Sequence, residues 1–191
     1  MFQVLFAKVE EKIKLNDAEK EICRSLFSPK KLRKRQYILQ QEDICKNLVF
    51  VEKGMLRSYS MDEKGNEHIL QFAPEGWWIS DIYSFLTGEP SVYNIDALED
   101  SELLLISNSA LEQLYEQVPK FERYFRILTQ ANMIAMQRRL TSTLSSTTEE
   151  KYLRLLSAYP DLISRVPQHM IASYLGLTPE TLSRVRKRIV S

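Results

Sequence analysis

From Pro167 to Val190 the apolar positions fall into two short runs of helical spacing with a glycine between them. Ile171, Ala172 and Leu175 share one face of the first run, and Leu182, Val185 and Ile189 share one face of the second. Pro167 suits the first turn of a helix, where its missing N–H is not needed. Gly176 ends that helix by supplying the left-handed residue that reverses the chain. Thr178 then caps a second helix, with Pro179 at its first position and Glu180 beside the positive end of the dipole. Glu180, Ser183, Arg184 and Lys187 gather on the face opposite the apolar one. The small Ala172 lets the two helices cross closely, with Leu177 helping to fill the wedge. The pattern therefore predicts a helix-turn-helix that packs on one side and can read a duplex with the other. A helical hairpin that only packs is the alternative.

Upstream, residues 2 to 27 carry helical spacing through Phe6, Val9, Ile13, Ile22, Leu26 and Phe27. The spacing breaks near Leu15, where Asn16 or Asp17 can cap a second helix. After Ser28-Pro29 the period becomes alternating. Short strands are expected around Tyr37 to Leu39, Leu48 to Glu52, Met55 to Ser60, Glu67 to Phe72, Tyr93 to Ala97 and Glu102 to Ile106. Lys53-Gly54 and the segment from Asp62 to Asn66 supply turns, and strands at such intervals suggest a jelly roll or small barrel.

Ser109 can cap a short helix to Gln117, and Pro119 opens a long one that runs to Leu144 without glycine or proline. That helix carries two apolar stripes. Phe121, Leu128 and Ala135 lie seven apart with Tyr124, Phe125 and Ala131 beside them, and Met133, Met136, Leu140 and Leu144 form another row. One stripe is expected to rest on the β-domain and the other, taken as Phe121, Tyr124, Phe125, Leu128, Ala131 and Ala135, to meet a second subunit. Burial of the whole helix within one chain is the alternative. Thr147 or Thr148 can cap the next helix with Glu149 and Glu150, and Tyr159-Pro160 ends it.

Composition narrows the class. Of 191 residues 44% are hydrophobic and 27% charged, as in a globular protein; no stretch reaches membrane-spanning length and the start lacks a signal peptide. Cys23 and Cys45 are too few for a disulfide framework or a four-cysteine cluster, so a reducing cytoplasm fits. Each thiol reads as a small buried hydrophobe or a redox sensor. The net charge of +1 hides a division: residues 1–118 hold 14 Lys plus Arg against 20 Asp plus Glu, whereas residues 119–191 hold 12 against 5. Only the C-terminal part has the balance a phosphate backbone attracts. The basic run Lys30, Lys31, Arg33, Lys34 and Arg35 lies outside it and reads as solvated surface or a lesser nucleic-acid contact.

An acidic β-roll, one long helix and a terminal helix-turn-helix, in this order and length, resemble the Crp/Fnr family of bacterial transcription regulators. The stretch NLVFVEKGMLRSYSMDEKGNEHILQFAPEGWWISDIYSFLTGEP is similar to the family's hairpins and ligand-loop region, and TPETLSRVRKR to its recognition helix. The resemblance implies an α+β chain with an N-terminal double-stranded β-helix (jelly-roll) domain over 1–118, a long dimerisation helix over 119–146 and a C-terminal all-α helix-turn-helix domain over 147–191. Glu180, Ser183 and Arg184 reproduce the family's Glu-x-x-Ser-Arg pattern. Arg184 offers two parallel donors to guanine O6 and N7, Glu180 can accept from cytosine N4, and Ser183 can serve either way. Lys187, Arg188 and Thr178 suit phosphates, and Gln168, His169 and Thr181 complete the expected DNA-binding set. The expected partners are double-stranded DNA with a palindromic operator and a second copy of the chain. The resemblance also admits RNA polymerase and an unidentified small-molecule effector, with no membrane.

The departures are as informative. Cyclic-nucleotide-binding members use a Gly-Glu pair and, eleven residues after the glycine, an Arg-Ser/Thr/Ala pair that grips the cyclic phosphate. Ser80-Asp81 and Ser91-Val92 stand here, with no arginine between Arg57 and Arg123. A buried phosphate would lack its charged partner, so cyclic AMP is not expected. The oxygen-sensing branch uses four cysteines. Haem sensing would need an axial ligand, for which His68 is the one histidine of the roll; it reads as an ordinary strand or turn residue, with haem ligation the lesser alternative, and no metal or cofactor is expected. The given sequence stops at Ser191 directly after the recognition helix, so the family's β-hairpin wing, which carries some of its backbone contacts, is not expected. Trp78, Ser80, Asp81, Tyr83, Ser91, Val92 and Tyr93 are the candidate effector pocket; with Trp77 and Phe85 these aromatics serve either as core or as lining for a small apolar or aromatic molecule.

A sensor or adaptor whose helical tail contacts protein is the competing function, separable by the salt dependence of DNA binding. A cupin-type enzyme would need clustered histidines, and His68 and His169 lie in different parts of the chain. No nucleophile-base set or phosphate-cradling glycine loop is present, so no enzyme is expected.

Overall fold

The computed structural model describes residues 1–190, and the side chains of all of these but Val190; Ser191, and with it the expectation about a wing, lies outside the described residues. Helices α1 (Gln3–Glu10) and α2 (Asp17–Leu26) open the chain. Asn16 caps α2 reciprocally, its Oδ1 accepting from the Glu19 N–H at 2.9 Å while the Glu19 carboxylate accepts from the Asn16 N–H at 2.8 Å. The start of α1 is held by the buried carboxylate of Glu52, which accepts from the N–H groups of Val4 and Leu5 at 2.8 and 3.1 Å.

Among the described residues eight strands then form two antiparallel four-stranded sheets. Strands β1 (Ser28–Leu32), β8 (Ser101–Ser107), β3 (Asn47–Lys53) and β6 (Trp78–Ile79) make one in that order, and β2 (Tyr37–Leu39), β7 (Asn94–Ala97), β4 (Leu56–Met61) and β5 (Glu67–Ala73) the other. Phe50, Leu56, Ile95, Leu104 and Ile106 are among the side chains sealed in the core they enclose. Three elements of the roll are not predicted by the pattern. β1 is SPKKL, exposed except at Leu32, and its lysines blunt the edge of the sheet; two of the basic-run residues thus belong to a strand. β6 has two residues, and α3 (Ile82–Thr87) is a six-residue helix capped by Asp81 and stopped by Gly88. Both are too short to show a period.

Gly54, in the β3–β4 turn, has φ of +92°, and a Cβ there would lie 2.3 Å from Ser101 Oγ and 2.8 Å from the Asp100 carbonyl oxygen. Gly54→Ala is expected to cost about 1–3 kcal/mol of stability, measured by urea unfolding; an unchanged midpoint would contradict the turn geometry.

Helix α4 (Asn108–Gln117) is capped by Ser107, two residues before the expected Ser109. The long helix α5 runs over Lys120–Ser145. Its stripes are distributed differently from expectation. Phe121 and Tyr124 are fully buried in the core of their own roll, and Phe125 and Leu128 pack against it, so four of the six expected dimer-contact residues are intrachain. Trp78 draws them in: its ring lies 5.1 Å from that of Phe125, and its indole N–H donates to the Tyr124 hydroxyl at 3.1 Å. Ala131 and Ala135 lie further along the same face and are exposed. The second row remains open, with Met133, Met136, Leu140 and Leu144 62, 72, 64 and 81% exposed.

The C-terminal helices are α6 (Thr148–Ala158), α7 (Leu162–Arg165), α8 (Gln168–Leu175) and α9 (Pro179–Val190). Thr147 and Glu150 form the capping box that starts α6. The four-residue α7 was not expected. No helix among the described residues is long and apolar enough to cross a membrane.

Candidate nucleic-acid interface

Gly176 takes φ of +68° at the end of α8, and the Leu177 N–H returns to the Ala172 carbonyl at 2.9 Å, which fixes the turn between α8 and α9. Thr178 Oγ1 accepts from the Thr181 N–H at 3.2 Å and so begins α9. Ile171, Ala172, Leu182 and Val185 are buried between the helices, and Leu175 and Leu177 are half-buried at the margin. The outer face of α9 is then solvent-facing: Glu180, Arg184, Lys187 and Arg188 are exposed and Ser183 half-exposed.

Polar contacts of this face run both within α9 and across to α6 and α8. Arg184 Nη2 donates to Thr181 Oγ1 at 3.3 Å, and Arg188 pairs with Glu149 at the start of α6 at 2.7 Å. Gln168 accepts from Arg186, a residue outside the expected set, at 3.3 Å, while His169 is exposed on the first turn of α8. Glu180 is held below the usual carboxylate range by its own backbone N–H and the Thr178 hydroxyl, so it stays an acceptor at neutral pH. Exposed pairs of this kind are weak, and a phosphate can displace them.

In the roll, the expected effector residues are not gathered around one space. The Ser91 hydroxyl donates to Asp81 Oδ2 at 2.7 Å, and Asp81 Oδ1 accepts from the Ser84 N–H at 3.1 Å; all three residues are buried. The pair that would contact a nucleotide in cyclic-nucleotide-binding relatives is here closed on itself. Trp78 belongs to the contact with α5, Tyr83 is exposed and donates to Glu89 at 2.7 Å, Val92 is exposed, and Tyr93 is half-buried with its N–H on the Ser91 hydroxyl. The roll does hold a cavity of about 130 Å³, lined by Ile38, Leu39, Val49, Ile95 and Leu105 with Cys45 and Ser80, so that Ser80 alone of the expected set reaches it. Apolar strand positions of this kind serve core and cavity alike, so periodicity gave no signal that singled them out. Burial pushes both cysteine thiols up, Cys23 to about 12, as expected of inert buried hydrophobes. His68, at the β4–β5 hairpin, is exposed and 3.1 Å from Asp62.

The described residues thus form a β-roll joined through one long helix to a helix-turn-helix, an arrangement shared with bacterial regulatory proteins. Residues 29–118 match the cyclic nucleotide-binding domain family. The chain is 28% identical over 191 residues to the fumarate and nitrate reduction regulatory protein of Vibrio cholerae, covering 91% of this chain and 74% of the relative. It is also 28% identical over 172 residues to the regulatory protein HlyX of Actinobacillus pleuropneumoniae, covering 83% and 70%. Among solved structures its fold resembles the c-di-GMP-responsive global regulator CLP of Xanthomonas campestris (TM-score 0.71, 16% identity, 91% of each chain). FixK2 of Bradyrhizobium japonicum is similar too (TM-score 0.68, 20% identity, 85% of this chain and 84% of that one). The chain is thus similar over most of its length to transcriptional regulators of the Crp/Fnr family, and its roll matches the cyclic nucleotide-binding domain family.

Proposed function

We propose that this chain is a homodimeric, sequence-specific DNA-binding regulator that reads a palindromic operator with α9 and does not respond to cyclic AMP. The observation that carries the reading is the outward projection of Glu180, Ser183 and Arg184 from a wedge sealed by Leu182 and Val185. Arg184 presents its fork to guanine O6 and N7, Glu180 accepts from cytosine N4, and Lys187, with Arg188 once it leaves Glu149, neutralises phosphates. A second copy seated on the open row of α5 supplies the second α9, and two half-sites about 34 Å apart or a multiple of that follow.

The test is recovery of duplexes from a random library by the full chain, followed by binding at several salt concentrations. Arg184→Ala is expected to weaken the recovered duplex by about 1–3 kcal/mol and to relax preference at one base pair per half-site. A flat salt response, or a variant with unchanged preference, would move the reading to a protein-contacting adaptor.

The closed Asp81–Ser91 pair supports the second part of the reading. A cyclic phosphate entering the roll would break this bond and meet no arginine from the segment around it, none lying between Arg57 and Arg123. A cavity of about 130 Å³ is of the size that admits a single small ring and is well below a nucleotide pocket. Millimolar cyclic AMP is expected to leave the unfolding temperature unchanged in differential scanning fluorimetry; a rise of several degrees would overturn this part alone.

A further inference from the structure

β5 is an edge strand, with backbone donors and acceptors unpaired on its outer side, and it carries a bulge at Leu70, between the pairs Ser58–Gln71 and Tyr59–Ile69. The C-terminal helices close this edge. The Ser173 hydroxyl of α8 accepts from the Ile69 N–H at 3.0 Å and donates to the Glu67 carbonyl at 2.7 Å, so one side chain satisfies both a donor and an acceptor of the strand. Arg139 of α5 donates to the carbonyls of Leu70 at 2.5 Å and Tyr174 at 3.2 Å, with its guanidinium 4.2 Å over the Tyr174 ring.

The strongest polar contact is one residue of α7. Arg165 grips Glu99 through Nε and Nη2 at 2.9 and 2.8 Å, and Glu75 through Nη1 and Nη2, both at 2.9 Å. Glu75 also accepts from the Gly54 N–H at 2.8 Å, so three turns of the roll converge on one guanidinium. Burial pushes the Glu75 carboxyl up, and Arg165 outweighs that and leaves it below its ordinary range. Beneath these contacts Met55, Phe72 and Leu98 of the roll share one apolar cluster with Leu162, Val166 and Ile171 of the reader.

We infer that Arg165, with Ser173, is a positioning residue for DNA reading: the roll fixes the attitude of α8 and α9 directly, and operator affinity depends on that clamp as well as on the link between α5 and α6. The inference rests on the DNA-reading function above. Glu180 and Arg184 stay exposed while the clamp is closed, so clamp and duplex do not compete for the same face. A reader held in place loses less freedom on binding than one swinging on a linker, and in a dimer that difference applies at both half-sites.

The test compares the full-length wild type with Arg165→Met, using the duplex that the wild type recovers from a random library, and follows amide exchange at Ile69. Arg165→Met is expected to weaken palindrome binding about tenfold, equivalent to about 1.4 kcal/mol, with the salt slope unchanged and exchange at Ile69 and along α8 accelerated. Glu75→Gln combined with Glu99→Gln removes the same clamp and should reproduce these changes if Arg165→Met fails to fold. Unchanged affinity with faster exchange overturns the positioning role. Tighter binding would make the clamp a brake, and a salt slope lower by about 1 would make Arg165 a phosphate contact; either overturns it. Failure of the wild type to recover any duplex overturns the DNA-reading function and this inference together, whereas wild-type binding matched by both variants overturns the clamp alone.

Discussion

Leu140→Lys, made together with Met136→Lys, is expected to convert the protein from a dimer to a monomer at micromolar concentration and to weaken operator binding by roughly a hundredfold or more. Met133, Met136, Leu140 and Leu144 project from α5 at spacings of three and four, within an arc of about 80°, and are turned by roughly 110° from the face that rests on the roll. An open apolar row of this length on a 26-residue helix fits the same row of a second copy. Lysines there bring like charges together across the contact, and each loses solvent without a counter-charge, a cost of several kcal/mol that the dimer meets twice. These residues touch little within their own chain, so the stability of the separated subunit should change by no more than about 0.5 kcal/mol. Sedimentation velocity gives the first result and denaturant unfolding the second. A variant that stays dimeric removes this row from the subunit contact.

Phe121→Ala is the counterpart on the inner face. Phe121 has no exposed surface and lies in an aromatic group with Tyr124 and Phe125, its ring 5.8 Å from that of Tyr124. Truncation removes its transfer free energy and leaves a cavity that the surrounding rings cannot refill, for a loss of about 3–5 kcal/mol. In a chain of this size that corresponds to roughly 6–20 °C in unfolding temperature. The folded variant should remain dimeric in native buffer, since the substituted side chain faces its own roll. Dissociation without a loss of stability would instead match the stripe assignment that periodicity alone suggested. The two variants therefore move two observables in opposite combinations.

Much of the chain is legible without coordinates because its signals are local. Asn16 with Glu19, Thr147 with Glu150, Gly176 and Thr178 close hydrogen bonds within a few residues of themselves, and those bonds exist wherever the elements are finally packed. The glycine turns that separate the strands are local in the same sense, as is the projection of Glu180 and Arg184 away from Leu182 and Val185, whereas β3, β4 and β8 are near-continuous buried runs. The strand β1 and the two-residue β6 are not legible because partners distant in sequence impose their conformations, Leu105 for Ser28 and Phe50 for Trp78, and α3, though locally capped, is too short to show a period.

The sequence by itself determined the order of the longer elements, most of their caps and turns, the exposed polar face of α9 and the absence of an arginine between Arg57 and Arg123. These depend on spacing, backbone preference and side-chain chemistry within a turn or two of the chain. Tertiary structure decided which stripe of α5 lies inside the roll, that Asp81 and Ser91 satisfy each other, where the cavity lies, and that Arg165 joins Glu75 and Glu99 across 90 and 66 residues. A periodic pattern states that a face must be covered but carries no label for what covers it, and a charged side chain's partner is set by where folding brings it.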